Sequence, residues 1–310
     1  MTVQPKIAVL LSTYNGAKFL HHQLASLMRQ SYSNFVVVVR DDGSSDSTLD
    51  ILLDFSARQP EKFHLRIADN TNLGARGSFS YMIQYVLENK RELGMEHAYM
   101  MFCDQDDVWY DSKIETQVAA MLVAEKDNRL RPVLIHSDLQ VVSENNEVIA
   151  ESLIQFQGLE IERNQFPHLV TSNLVTGCTA FINESLATIS VPVAEHAVMH
   201  DWWLAMVASA FGKLIFLDTP LVHYRQHDAN TIGARELIKP KRFGRSYWKY
   251  VLRLTPDQHL LEVGIQAAQF RCRFGSQLTL RENFGLRFTA CMKIRIGIVQ
   301  RGCYWLLRRF

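Results

Sequence analysis

The first fifty residues alternate in a way that admits few folds. An apolar run, Ile7-Ala8-Val9-Leu10-Leu11, passes straight into the polar turn Ser12-Thr13-Tyr14-Asn15-Gly16. A helix follows, with Phe19, Leu20, Leu24, Leu27 and Met28 along one face. A second apolar run, Phe35 to Val39, ends in Arg40-Asp41-Asp42-Gly43-Ser44-Ser45-Asp46-Ser47-Thr48. Its Ser and Asp residues suit the cap of a further helix carrying Leu49, Leu52 and Leu53. Strand, polar turn and helix, repeated in this order, predict an α/β fold with a doubly wound, nucleotide-binding sheet. In such a sheet, ligands bind where the strands end.

The third strand end carries the most chemistry. Ala98 to Phe102 reads as a buried strand and runs into Cys103-Asp104-Gln105-Asp106-Asp107-Val108-Trp109. Three carboxylates in four residues repel one another, so a cation belongs among them. Short Asp side chains suit Mg²⁺ or Mn²⁺, which take one or two carboxylates plus substrate phosphates. On this segment alone a metal–diphosphate site and an Asp-rich turn capping a helix near Lys113 both stand.

The alternation continues. His64 to Ala68 reads as a strand and Gly77 to Glu88 as a helix. The connection Asn72-Leu73-Gly74-Ala75-Arg76-Gly77 places amides and Arg76 where a phosphate would sit. An ordinary helix start with a surface Arg is the plainer reading. Pro132 to Val142 is a strand containing His136-Ser137-Asp138. Neighbouring strand residues face opposite ways, so these three cannot converge as a hydrolytic triad. Asp138 is assigned to the acceptor side. Leu174 to Phe181 reads as another strand, with Gly177 inside it. Trp202 to Phe211 is an apolar helix with His200 and Asp201 at its N-terminus, where the dipole favours a carboxylate. On the residues alone Asp201 is a plain N-cap. Trp202 and Trp203 suit the core, with Trp202 the candidate sugar platform. Leu221 to His227 alternates and ends in polar residues, with His223 in the core.

Together these motifs resemble a family. Ser12-Thr13-Tyr14-Asn15, Asp41-Asp42-Gly43-Ser44, Asp104-Gln105-Asp106-Asp107, His200-Asp201-Trp202-Trp203 and Tyr224-Arg225-Gln226-His227-Asp228-Ala229-Asn230 are similar to those of family 2 inverting glycosyltransferases. The resemblance covers roughly residues 5 to 234 and implies a GT-A fold and a nucleotide-diphosphate sugar donor. It implies Asp201 as catalytic base and a diphosphate-closing loop holding Arg225, His227 and Asn230. Asp106, with Asp104 or Asp107 nearby, is the expected holder of Mg²⁺ or Mn²⁺, and His227 a metal or diphosphate contact. Thr13, Tyr14, Asn15, Asp42, Arg76 and Asp104 are the expected nucleotide contacts. A carboxylate at Asp42 accepts the N3–H of uracil or thymine and repels the N3 of cytosine. The motifs look most like bacterial rhamnosyltransferases of surface polysaccharide (O-antigen) assembly, which implies dTDP-L-rhamnose. UDP-hexoses remain open as donors. A phosphohydrolase would need more His ligands near the acidic turn. A nucleotidyltransferase would need a Gly-rich, Lys-containing loop near the start. A non-catalytic carbohydrate-binding module would have no use for Asp201.

Charge divides the chain in two. Residues 235–310 hold 16 Lys and Arg against 4 Asp and Glu, while residues 1–234 hold 17 against 28. We therefore expect a catalytic domain over 1–234 and a basic, mainly helical extension over 235–310. From Lys239 onward basic residues interleave with Phe243, Tyr247, Trp248, Tyr250, Val251, Leu252, Phe284, Leu286, Phe288, Tyr304, Trp305, Leu306 and Leu307. No apolar run is long enough to span a bilayer. The interleaving suits a peripheral contact of residues 239–310 with an anionic membrane, near a polyprenol-diphosphate-linked saccharide acceptor. Packing on the catalytic domain or on a second subunit (a homo-oligomer) is the alternative. Nucleic acid is not expected, since nothing in 1–234 suggests its chemistry. Met1 to Lys6 has no secretory pattern, and the five cysteines form no Cys-x-x-Cys pair. A cytoplasmic enzyme at the inner face of a bacterial membrane is the expectation.

Overall fold

The computed structural model describes residues 4–66, 71–228, 234 and 254–307. Among them the chain builds one nine-stranded sheet flanked by helices. In chain order, β1 (Ile7–Thr13) leads to α1 (Ala17–Met28), β2 (Phe35–Asp41) to α2 (Thr48–Arg58), and β3 (Phe63–Leu65) to α3 (Gly74–Asn89). Next come β4 (Tyr99–Cys103), β5 (Val108–Trp109), α4 (Lys113–Ala124), β6 (Val133–Val142) and β7 (Val148–Ala150). Short helices α5 (Leu153–Gln157) and α6 (Phe166–Leu169) precede β8 (Phe181–Ile182), α7 (Glu184–Ser190), α8 (His200–Phe211) and β9 (Lys213–Arg225). Helices α9 (Gln258–Phe274), α10 (Leu280–Ala290) and α11 (Gly297–Leu307) follow.

The sheet order is β3-β2-β1-β4-β8-β6-β9-β5, with β7 on β6. Strands β3, β2, β1 and β4 pair in parallel, and so do β6 and β9. Strand β8 is antiparallel to both β4 and β6. The C-terminal ends of β1, β2, β4, β6 and β9 therefore share one edge. That edge collects Thr13, Asp41, Cys103 and Arg225, the strand-terminal residues next to the polar motifs.

The near-continuous apolar runs follow from burial on both faces. Side-chain alternation splits them between two cores. Ala8, Leu10, Val36, Val38, Met100 and Phe102 face one side, where α3 and α8 pack. Ile7, Val9, Leu11, Val37, Val39 and Met101 face the other, where α1 and α4 pack. Each fully buried aliphatic side chain contributes roughly 1.5–3 kcal/mol.

Three expectations need correction. Leu174 to Phe181 is not a strand. Gly177–Thr179 forms a 3₁₀ turn, held by Thr179 N–H and Oγ1 donating to the Thr176 carbonyl at 2.9 and 2.7 Å. Only Phe181–Ile182 pairs in the sheet. Strand β9 begins eight residues before the alternating segment starts, at Lys213. His223 is half-buried and stacks on Tyr110 at 4.3 Å instead of entering the core. Strand β3, Phe63–Leu65, begins one residue before the expected His64 to Ala68, and residues 67–70 lie outside the described residues.

The C-terminal helices pack against the same core. Phe270 and Phe274 of α9 lie 5.3 and 6.0 Å from the Trp203 ring of α8. Gln266 accepts from the Val198 amide at 2.8 Å, and Arg273 donates to the carbonyls of Ile189, Ser190, Val191 and Pro192. Helix α9 thus braces the loop that leads into α8 and its Asp201. Asn230 and the tail residues Lys239 to Leu252 lie outside the described residues. No helix of the described residues is long and apolar enough to cross a membrane.

Candidate active site

The turn after β1 is locked to the turns after β2 and β4. Thr13 Oγ1 donates to Asp41 Oδ1 at 2.8 Å. Asp41 also accepts from the amides of Gly43 and Ser44 and from Ser44 Oγ, folding the Asp-Asp-Gly-Ser turn around its carboxylate. Asn15 holds φ at 48°, its amide donates to Ser44 Oγ, and its Oδ1 accepts from the Ser45 amide. Tyr14 and Gln105 exchange two hydrogen bonds, at 2.8 and 3.0 Å. That reciprocal pair fixes the acidic loop against the first turn. It also explains Gly16: a Cβ there would sit 2.1 Å from Gln105 Oε1.

The acidic loop meets the end of β9. His227 Nε2 lies 2.9 Å from Asp106 Oδ2. Arg225 donates its amide to Asp107 Oδ1 at 3.2 Å, Nε to the Asp106 carbonyl at 2.8 Å and Nη1 to the Glu144 carbonyl at 2.6 Å. Phe19 of α1 supports both side chains. The His227 ring stacks on it at 4.8 Å, and the Arg225 guanidinium lies 4.8 Å from its centroid. Behind the loop Lys113 is fully buried, with Nζ 2.6 Å from Gln117 Oε1 and 4.2 Å from the Trp109 ring. Burial pulls its pKa down to about 8.

Burial and mutual repulsion push the carboxylates the other way. Burial, then the charges of Asp106 and Asp201, raise Asp104 to about 7. Burial and the charges of Asp106 and Asp104 raise Asp107 well above the ordinary carboxylate range. Ligand atoms of Asp104, Asp107 and Cys178 all lie within 4.8 Å of one another. Burial pushes the Cys178 thiol well above its ordinary value, so it stays protonated and serves Asp107 as a hydrogen-bond donor, not as a ligand. The carboxylates of Asp104 and Asp107 are oxygen donors that fit Mg²⁺ or Mn²⁺, and a cation there would relieve their repulsion.

Asp201 is the second residue of α8, with Met199 at the N-cap, so it is not the capping residue. Its Oδ1 accepts from the Trp202 amide at 2.6 Å. Burial raises its pKa to about 7, against the lowering effect of its donors, Trp202, Asn173 and Gly177. Beside it His200 is enclosed by Phe79 and Phe102, with centroids 4.2 and 5.1 Å away. Burial depresses its pKa to about 3, so the ring is neutral. Gly177 closes over this pair. A Cβ there would lie 3.1 Å from His200 Nε2 and 3.8 Å from Asp201 Oδ2.

Four candidate residues have other partners. Asp42 pairs with Arg40 in the interior and accepts from the Leu73 and Gly74 amides at 2.8 and 2.7 Å. Burial opposes its ionisation, but the Leu73 amide, Arg40, Ser78 and the Gly74 amide hold its pKa below the ordinary value. Arg76 donates to the Ala197 carbonyl at 2.9 Å, tying α3 to the loop before α8. Asp138 turns to the Leu139 and Ile154 amides, at 2.8 and 3.3 Å. Trp202 is buried, and its indole N–H donates to the Leu169 carbonyl at 2.6 Å. Its face is committed to the core and cannot serve as an open sugar platform.

The structure adds Phe19, Arg40, Gln105, Lys113 and Cys178 to the site. Sequence reading placed Phe19 on the core face of α1, and nothing in its spacing reveals partners more than 200 residues away. Gln105 was legible only as part of the acidic run.

Comparison with known proteins matches this architecture. Residues 8–189 match the model of Glycosyl transferase family 2. The dTDP-rhamnosyl transferase RfbG of Shigella flexneri is 27% identical over 240 residues, 74% of this chain and 76% of RfbG. The Escherichia coli UDP-Glc:alpha-D-GlcNAc-diphosphoundecaprenol beta-1,3-glucosyltransferase WfgD is 29% identical over 119 residues, 37% of this chain and 41% of WfgD. In structure, S. aureus TarS 1-349 in complex with UDP superposes with a TM-score of 0.55 at 15% identity, covering 98% of this chain and 91% of that one. The Pyrobaculum calidifontis mannosyltransferase PcManGT, in complex with GDP-Man and Mn²⁺, gives 0.52 at 17% identity over 94% and 74%. With a family match over more than half its length, a GT-A-like sheet and acidic motifs at the ligand edge, the chain belongs to glycosyl transferase family 2 and is a glycosyltransferase.

Proposed function

We propose that the protein is a metal-dependent, inverting glycosyltransferase. It moves a sugar, L-rhamnose from dTDP-rhamnose, onto a lipid-linked saccharide during cell-surface polysaccharide synthesis. The observation that carries this reading is that Gly177-Cys178 joins a base candidate to the acidic loop: a Cβ on Gly177 would lie 3.8 Å from Asp201 Oδ2, and Cys178 Sγ lies within 4.8 Å of carboxylate oxygens of Asp104 and Asp107.

Asp106, with His227, Asp104 and Asp107, would hold Mg²⁺ or Mn²⁺. The ion supplies positive charge to the departing diphosphate. Arg225 adds fixed charge at the same place. Asp201 accepts the proton of an acceptor hydroxyl. The hydroxyl oxygen bonds to the anomeric carbon as the bond to the diphosphate oxygen breaks on the opposite face. Configuration inverts in that single displacement, and no residue forms a covalent intermediate. Thr13, Tyr14 and Asn15 line the base end, and Asp42 is the acceptor for a pyrimidine N3–H. It is ionised, but Arg40 and the Leu73 and Gly74 amides already occupy its oxygens, so a base would share them or displace a donor. A methyl group separates thymine from uracil, so Asp42 alone does not distinguish them.

The dTDP-rhamnose reading leans on RfbG, and WfgD and TarS keep UDP sugars as the second reading. A thermal-shift and product-release screen decides between them. dTDP-rhamnose, UDP-glucose, UDP-galactose and UDP-GlcNAc are each incubated with the protein and Mn²⁺. Release of dTDP from dTDP-rhamnose alone supports the first reading. Release of UDP alone replaces it with the second, and no release or stabilisation by any donor contradicts both.

A further inference from the structure

Helix α10 carries more apolar surface than its packing uses. Its inner face buries Leu286 and Thr289 completely. Its outer face presents Leu280, Phe284 and Arg287, at i, i+4 and i+7 on one side of the helix. Leu280 is 92% exposed and Phe284 71%, and Arg281 is exposed beside them. Between this face and the end of α9 runs a groove of about 400 Å³, lined by Arg271, Leu280, Asn283, Phe284 and Arg287. The one acidic residue of the helix, Glu282, is occupied in a capping box with Thr279. The patch is therefore two protruding apolar side chains set among three guanidiniums, with no free carboxylate on α10.

Charge decides what such a patch fits. A second copy would bring the same guanidiniums face to face across a two-fold axis, which repels. An anionic bilayer supplies both complements, acyl chains for Leu280 and Phe284 and phosphates for the arginines. We propose that the α9–α10 turn is the surface by which the protein docks on an anionic membrane. Phe284 and Leu280 enter the interface, and Arg271 and Arg287 hold a lipid phosphate in the groove. This rests on the lipid-linked acceptor in the functional reading and names the face that would meet it. Helix α11 also exposes Trp305 and Leu306, though less than Leu280 and Phe284, and serves as the comparison surface in the test.

The test is flotation of the full chain with vesicles of phosphatidylcholine alone or mixed with phosphatidylglycerol. The protein should float with the mixed vesicles, and less so in high salt. Each basic residue at an anionic surface is worth roughly a fivefold change in partitioning. Arg271→Gln with Arg287→Gln should therefore lose at least tenfold on mixed vesicles. Leu280→Gln with Phe284→Gln should lose at least tenfold, with melting unchanged because both side chains are exposed. Trp305→Gln with Leu306→Gln should float like the wild type. Equal flotation of wild type and both α10 double variants overturns the proposal, as does a wild type that stays at the bottom. Light scattering that shows a dimer broken by the Leu280/Phe284 variant also overturns it, in favour of a second copy. Donor turnover without vesicles is measured in parallel. Lost turnover with intact flotation sinks the functional reading and leaves the docking face standing.

Discussion

Asp106 and His227, 121 residues apart in the chain, meet at 2.9 Å between Oδ2 and Nε2. The contact joins the loop after β4 to the segment after β9. It places an imidazole and, through Arg225, a guanidinium beside three carboxylates. The first prediction follows from this junction. Asp106→Ala should abolish sugar transfer and the metal dependence of nucleotide binding, because the diphosphate loses its clamp. Calorimetric titration of dTDP or UDP with and without Mn²⁺ measures this. Full activity in EDTA contradicts it.

Phe19 supports both Arg225 and His227, so Phe19→Ala should act twice. Truncating a buried Phe costs about 3 kcal/mol of stability, read by denaturant unfolding. Diphosphate affinity should fall as well. Phe19→Leu should recover most of the stability and little of the affinity, since an aliphatic side chain provides no face for stacking. Equal recovery of both would make Phe19 a packing residue only.

Asp42→Ala tests the base contact. Removing the carboxylate strands the buried Arg40, so a stability loss of about 3 kcal/mol is expected. The informative quantity is a ratio that such loosening does not move. Wild type should prefer UDP and dTDP to CDP, and the variant should lose that preference. An unchanged ratio would show that Asp42 acts through Arg40 alone.

The pH profile carries a sign. Burial holds Asp201 at about 7, and burial with the charges of Asp106 and Asp201 holds Asp104 at about 7. The base role of Asp201 needs the ionised form, whereas a bound cation would hold Asp104 ionised. Turnover should rise with pH through about 7 and fall roughly tenfold per unit below it, and that limb reports Asp201. The folded pKa values lie above the ordinary carboxylate range, so folding binds protons. Stability contributed by these groups is present at low pH and lost as pH rises from about 4 to about 7. A turnover limb centred near pH 4 would contradict the burial argument.

Local pattern was enough to find the strands β1, β2, β4 and β6 and the acidic turns after them. Each is a short apolar run ended by polar residues, and burial on both faces of a parallel sheet writes that pattern directly. Leu174 to Phe181 misled because apolar content does not distinguish a buried strand from a buried turn. Thr176 and Gly177 turn the chain there, and the reason is tertiary: Gly177 must close on His200 and Asp201. The same limit hid Phe19 and Lys113. Both look like ordinary members of helices α1 and α4, and their electrostatic roles arise from residues that folding brings to them. Trp202 showed the converse, since its burial and its bond to Leu169 outweigh the attraction of an aromatic next to a catalytic candidate.

The central claim is that Asp201 takes the acceptor proton beside a metal–diphosphate site. Asp201→Asn keeps the shape and removes the basicity. Initial rates of transfer and calorimetric affinity for the nucleoside diphosphate with Mn²⁺ are measured on the same preparation. The account predicts a fall in turnover of about 10²–10⁴ with nucleotide affinity nearly unchanged. Turnover within a few fold of wild type, or an equal loss of nucleotide binding, would contradict it.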